Sequence, residues 1–156
     1  MTRQTLLILA TLGSAAALAA AFAFQYIGGL APCHLCLLQR YPHAVAIVIG
    51  ILALLIPRTI LAKLLPLAGA AAAFTAVVIA GYHTGVERHW WQGPSTCTSG
   101  SITGISAKDL LAQIQAAPVV KCDVVAWQMF TLSMATWNML ASLVLVAMWL
   151  MAFRKS

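Results

Sequence analysis

The sequence predicts an all-α integral membrane protein: a four-helix bundle, one membrane domain over 1–156, with one long outer loop. Three observations lead there. The chain is 62% hydrophobic and only 8% charged, with a mean hydropathy of +0.93. A soluble domain carries about 25% charged residues, so this one has too few to coat a water-facing surface. Four apolar runs follow one another, each able to supply the roughly 20 residues a helix needs to cross a bilayer. The nine Lys and Arg, against three Asp and Glu, give a net charge of +6. They are scattered and not clustered, which fits the positive-inside rule. They form no basic patch, and no nucleic-acid partner is expected.

The first span is placed at 5–27. Its run of Ala and Leu exceeds the about 7–15 apolar residues of a secretory signal, and more spans follow, so it is read as retained. Gly28-Gly29 breaks it. The second span, 34–56, must begin before Pro42, because the run from Pro42 alone is too short to cross. Pro42 then lies inside the helix and is expected to kink it. The third span is 62–83, with Pro66 near its start, and the fourth is 129–153, followed by Arg154-Lys155-Ser156. Ala-rich stretches at 15–21 and 68–76 suit close helix packing through small residues.

The outer loop, 84–128, holds all three acids, Glu87, Asp109 and Asp123. Within it, 106–114 reads as a short amphipathic helix. Ser106 caps it, with Asp109 at the capping-box position, and Leu110, Leu111 and Ile114 share one side. Such a helix either lies on the membrane and lets the loop swing, or packs on the bundle as plain structure. Trp90, Trp91, Trp127 and Trp137 read as interfacial belt residues.

Arg3, Arg58, Lys63, Arg154 and Lys155 all fall on one side of a four-span arrangement. On the other side Arg88, Lys108 and Lys121 are matched by the three acids. Positive-inside therefore places both termini in the cytoplasm. All four cysteines, Cys33, Cys36, Cys97 and Cys122, then lie on the outer face, which in a bacterium is the oxidising periplasm. Four cysteines allow three pairings; adjacency favours Cys33 with Cys36 and Cys97 with Cys122. Four buried free thiols is the bland alternative, weakened because none lies within an apolar run.

Cys33 and Cys36 form a Cys-x-x-Cys at the first turn of the second span. The spacing can close a small disulfide ring, and the helix N-terminus favours a thiolate. Arg40 lies one turn after Cys36, where a cation favours the same charged form. Zinc sites also use Cys-x-x-Cys. Cys97 and Cys122 are single, however, so no second knuckle completes a four-ligand set. A site from Cys33, His34, Cys36 and a Met is the weaker reading, and no metal is expected.

Pro32-Cys33-His34-Leu35-Cys36-Leu37-Leu38-Gln39-Arg40 resembles the P-C-x-L-C-x-x-x-R signature of the DsbB family, quinone-dependent disulfide-generating membrane proteins. His83-Thr84-Gly85-Val86-Glu87 and Trp91-Gln92-Gly93-Pro94-Ser95-Thr96-Cys97 are similar to two further family runs. Cys122-Asp123 with Trp127, Leu132-Ser133-Met134 and Trp137-Asn138 resembles the entry to the last helix. The likeness covers about 5–153. Thr131 stands where a glycine is common, and the loop is compact.

The resemblance implies an inner-membrane oxidoreductase that reoxidises a periplasmic thioredoxin-fold oxidase of the DsbA type and passes electrons to ubiquinone or menaquinone. It implies that the partner's thiolate attacks Cys97 of a Cys97–Cys122 disulfide. Cys122 then exchanges with Cys33 of a Cys33–Cys36 disulfide, and Cys36 is freed beside the quinone. Besides the four cysteines, it points to Arg40, His83 and Met134 as quinone-binding residues. Each has a plainer alternative: a snorkelling anchor, an interfacial histidine and simple packing. His34 is placed to tune the dithiol; His43 and His89 carry no assignment. Two rival functions remain. A reductase running electrons outward would need cytoplasmic cysteines, and none faces that way. A metal-binding or scaffold membrane protein would use the cysteines structurally.

Overall fold

The structure, a computed structural model, describes residues 1–56, 60–94 and 120–155. Among them, four helical segments are long and apolar enough to cross a membrane. Helix α1 is Arg3–Tyr26, capped by Thr2, whose hydroxyl accepts from the Thr5 amide at 3.2 Å. It ends where Gly29 adopts φ +66° and the amides of Ile27 and Gly28 both turn back to the Ala23 carbonyl. A left-handed residue after the last turn is a common helix stop.

The second span, His34–Leu55, is two helices in line. Helix α2 is His34–Leu38 and α3 is Arg40–Leu55, with a one-residue step at Gln39. Pro42, in the first turn of α3, has no N–H to give the Leu38 carbonyl. The helical ladder is interrupted there, which is the physical content of the expected kink.

Helix α4, Ile60–Glu87, holds Pro66 within it. The missing Pro66 N–H frees the carbonyl of Ala62, and Arg3 Nη2 donates to that oxygen at 2.7 Å. A proline that would weaken the helix alone thus becomes the point where α1 and α4 are tied together. The helix runs one turn past the expected end at residue 83, so Glu87 belongs to it and not to the outer loop. The final helix, α5, is Met134–Arg154. It begins later than the expected 129, because 128–133 form a hairpin: β1 (Gln128–Met129) pairs antiparallel with β2 (Leu132–Ser133). Phe130 and Thr131 make its turn with φ of +51° and +65°. Two positive φ values in a two-residue loop are the type I′ requirement, which explains why a glycine is common at the second position. The expected amphipathic helix at 106–114, Cys97 and Arg58 lie outside the described residues.

The spans close into a ring in which α1 packs on α3 and α5, and α4 packs on α3 and α5. Close approach is bought with small residues. A Cβ on Gly69 would lie 2.6 Å from the Trp149 ring, and one on Gly50 would overlap the Thr11 hydroxyl. The main core, with Leu6, Leu7, Ala73, Leu145 and Trp149, fills the half of the bundle at the chain termini. A second cluster at the opposite end is built from Cys33, Leu35, Val86 and Cys122. Large apolar side chains such as Leu12, Val48, Phe74 and Val144 are exposed on the outside, as a lipid-facing surface requires.

Candidate functional site

Cys33 is the N-cap of α2: its sulfur accepts from the Cys36 amide at 3.3 Å. A capping side chain must fold back over the first turn, and this brings the two sulfurs to 3.0 Å, with the Cys33 thiol donating to Cys36. Both cysteines are free, so the structure holds the pair as a dithiol rather than the closed bond that adjacency favours. The hydrogen bond to Cys36, reinforced by burial, holds the Cys33 pKa well above the ordinary thiol range. Cys33 is therefore the proton-bearing sulfur and Cys36 the accepting one. Cys122 is disulfide-bonded, which removes the reading of four free thiols. It is fully buried in the same cluster as Cys33.

His83, on α4, sits beside this pair, its Nε2 3.6 Å from the Cys33 sulfur. The same atom is 3.8 Å from Glu87 Oε1, one turn on. The other Glu87 oxygen accepts a hydrogen bond from Ser133, whose hydroxyl also caps α5. The sulfurs of Cys33 and Cys36 and a His83 nitrogen lie within 4.8 Å of one another, a set able to hold a thiophilic metal. The histidine beside the dithiol is His83; His34, although between the cysteines, is exposed.

Arg40 turns toward α1. Its Nη1 donates to Gln25 Oε1 at 2.7 Å, and its guanidinium lies 4.8 Å from the Phe22 ring centre. Its buried Nε has no partner among the described residues.

These groups line one cavity of about 360 Å³. Its walls are mostly apolar, from Ala17, Ala21 and Phe24 of α1 to Met134 and Ala141 of α5. Trp127 closes one side, its ring 5.0 Å from that of Phe24. Two of the tryptophans bond main-chain carbonyls: Trp91 donates to that of Tyr82 at 3.0 Å and Trp137 to that of Met129 at 3.2 Å.

Sequence reasoning placed Cys33, Cys36, Arg40, His83 and Met134 here, and the structure brings these five together in the cavity wall. It did not single out Gln39, His43, Glu87 or Asn138, which line the same cavity. The available signal was polarity: each interrupts, or lies at the edge of, a run that is otherwise apolar, and a polar residue inside a membrane span is a functional candidate by default.

Fold and site together define a multi-pass membrane protein built around a buried dithiol. The family model "Disulfide bond formation protein DsbB" matches residues 3–152. The chain belongs to that family, whose members are disulfide-forming membrane thiol oxidoreductases. It is similar to "Uncharacterized protein RP370" of Rickettsia prowazekii (strain Madrid E), 28% identical over 146 residues, covering 90% of this chain and 81% of the relative. No solved structure matches the chain.

Proposed function

We propose that this protein reoxidises a periplasmic DsbA-type thiol oxidase and passes the electrons to a membrane quinone. The observation that carries this reading is the Cys33–Cys36 dithiol, its sulfurs 3.0 Å apart, in the wall of an apolar cavity that Arg40 also lines, its buried Nε without a partner among the described residues. A quinone head group has two acceptor oxygens and an apolar ring. The cavity offers apolar walls and at least one unmet donor, so the residues fit it. Arg40 would hold the head group, with His83 and Met134 lining the pocket around it. A bound quinone supplies the two-electron, two-proton acceptor.

The chain's own chemistry is thiol–disulfide exchange. The partner's thiolate attacks Cys97 of a Cys97–Cys122 disulfide and releases Cys122. The partner's second thiol resolves the mixed disulfide, so the partner leaves oxidised. Cys122 attacks Cys33 of the closed Cys33–Cys36 bond, and Cys36 leaves as a thiolate. Cys97 then displaces Cys33, restoring Cys97–Cys122 and leaving the Cys33–Cys36 dithiol. That dithiol closes again by giving up two electrons and two protons to the acceptor. The disulfide state of Cys122, and its burial in one cluster with Cys33, support this order.

We place both termini in the cytoplasm and the dithiol end toward the periplasm. Arg3, Lys63, Arg154 and Lys155 gather at the bundle end opposite the cysteines, as positive-inside requires.

The test mixes purified protein with reduced DsbA-type partner and quinone and follows quinone absorbance. Turnover is expected, and its loss in Cys97→Ser with retention of Cys33–Cys36 reoxidation by quinone would support the order above. A second reading, a metal-binding protein, is favoured by the three-ligand cluster of Cys33, Cys36 and His83. Stoichiometric zinc in the reduced protein, without quinone turnover, would establish it instead.

A further inference from the structure

A chain of polar side chains leads away from the dithiol through three spans. His83 Nδ1 lies 2.9 Å from Gln39 Nε2. Gln39 Oε1 accepts from Asn138 Nδ2 at 2.7 Å. Asn138 Oδ1 lies 2.9 Å from His43 Nε2. Gln39, His43 and His83 are buried, so each hydrogen bond here is costly to leave unmade.

One backbone atom sets the direction of this chain. Gln39 Nε2 is also 3.2 Å from the Leu35 carbonyl oxygen. A carbonyl oxygen only accepts, so the Gln39 atom facing it must be the NH2 group. The same NH2 faces His83 Nδ1, which must then accept. In the neutral ring the proton is left on Nε2, the atom facing the Cys33 sulfur and Glu87 Oε1 at 3.6 and 3.8 Å. Asn138 donates to Gln39, so its oxygen faces His43, and His43 Nε2 must carry a proton. Reversing the chain would set the Gln39 oxygen against the Leu35 oxygen.

We propose that Gln39 and Asn138 are positioning residues that hold His83 in the Nε2–H tautomer, its proton aimed at the Cys33 sulfur. His83 then acts on Cys33 as a hydrogen-bond donor that stabilises the thiolate left on Cys33 when it is itself displaced from Cys122, and not as the base that removes the thiol proton. Glu87 Oε1 and the Cys122 main-chain carbonyl are competing acceptors for the same N–H. The proposal rests on the reading of Cys33 and Cys36 as the redox pair, but its test is independent of turnover.

The experiment is nitrogen-15 NMR of histidine-labelled reduced protein in detergent micelles, with His83 assigned by the signal lost in His83→Asn. Two-bond proton–nitrogen couplings report the tautomer directly. Wild type is expected to show His83 protonated on Nε2. Gln39→Met, nearly isosteric, and Asn138→Asp, which removes the donor to Gln39, should each give a mixture of tautomers. Each should also slow alkylation of Cys33 by N-ethylmaleimide at fixed pH by about fivefold, the scale of weakening one hydrogen bond to a charged sulfur. A merely structural role would lower thermal stability without moving the tautomer. An Nδ1–H tautomer in wild type, or an unchanged tautomer and alkylation rate in both variants, overturns the proposal. Failure to reduce quinone, with the tautomer shift present, would instead overturn the redox reading alone.

Discussion

Arg40 Nη1 donates to Gln25 Oε1 across 2.7 Å, so the cation of the Cys-x-x-Cys motif is held by the first span and not by the cysteines beside it in sequence. The arginine fork is thereby aimed: both arms reach α1, Nη1 at Gln25 and Nη2 at the Ala21 carbonyl 3.5 Å away, while Nε stays buried without a partner among the described residues. A planar guanidinium fixed at one edge holds its remaining donor in a set direction, which a freely rotating ammonium does not.

Arg40→Met is expected to raise the apparent KM for quinone by about tenfold, the order expected for one charge-assisted hydrogen bond. KM for the protein partner should change little. Arg40→Lys should recover only part. Gln25→Leu keeps the cation but frees the fork, and should raise the quinone KM by a smaller factor. Steady-state kinetics with each substrate varied in turn checks this. Unchanged quinone kinetics in Arg40→Met would leave Arg40 a membrane anchor.

The order of thiol reactivity follows from the hydrogen bond between the sulfurs. The raised Cys33 pKa keeps Cys33 as a thiol through neutral pH. A group whose pKa is raised loses its proton only at higher pH, so its alkylation should begin above the ordinary thiol value of about 8.5. In the reduced protein at neutral pH, iodoacetamide should therefore label Cys36 before Cys33. In Cys36→Ser the thiolate acceptor is gone, and the Cys33 profile should shift to lower pH. Peptide mass spectrometry over a pH series reads both.

The hairpin before α5 carries avoidable strain. Phe130 and Thr131 hold φ of +51° and +65°, and a left-handed conformation costs a non-glycine residue about 1–2 kcal/mol. Replacing the pair by Asn-Gly, the preferred type I′ turn, should stabilise the protein by about 1 kcal/mol after the entropy cost of the glycine. Thermal unfolding in detergent measures it, and a lower Tm would contradict the turn assignment.

Helix approach in the apolar half depends on Gly69. A Cβ there would meet the Trp149 ring at 2.6 Å, and overpacking of this kind costs about 1–3 kcal/mol. Gly69→Ala should lower stability by that order, and Trp149→Phe should recover part of it in the double variant. A double-mutant cycle reads the coupling; strict additivity would show that the two helices do not meet there.

Much of this protein was readable before any fold was known. Span number and the placement of Cys33, Cys36 and Arg40 follow from local information: run length, charge at the ends of runs, and residue spacing within one turn. The candidacy of His83 and Met134 comes from the family resemblance. The boundaries at Glu87 and Met134 were not readable. Glu87 looks like a loop acid until Ser133, 46 residues away, covers its carboxylate. The 128–133 hairpin is too short to show a strand pattern. Least legible was the polar chain, because Gln39 meets Asn138 across 99 residues and His83 across 44. In a soluble helix, an apolar stripe reveals which face turns inward. Here lipid makes the outer face apolar as well, so periodicity does not report rotation. Only the packing of the bundle, with Gly50 and Gly69 admitting their neighbours and Pro42 interrupting the second span beside Gln39, decides which polar atoms come within hydrogen-bond reach.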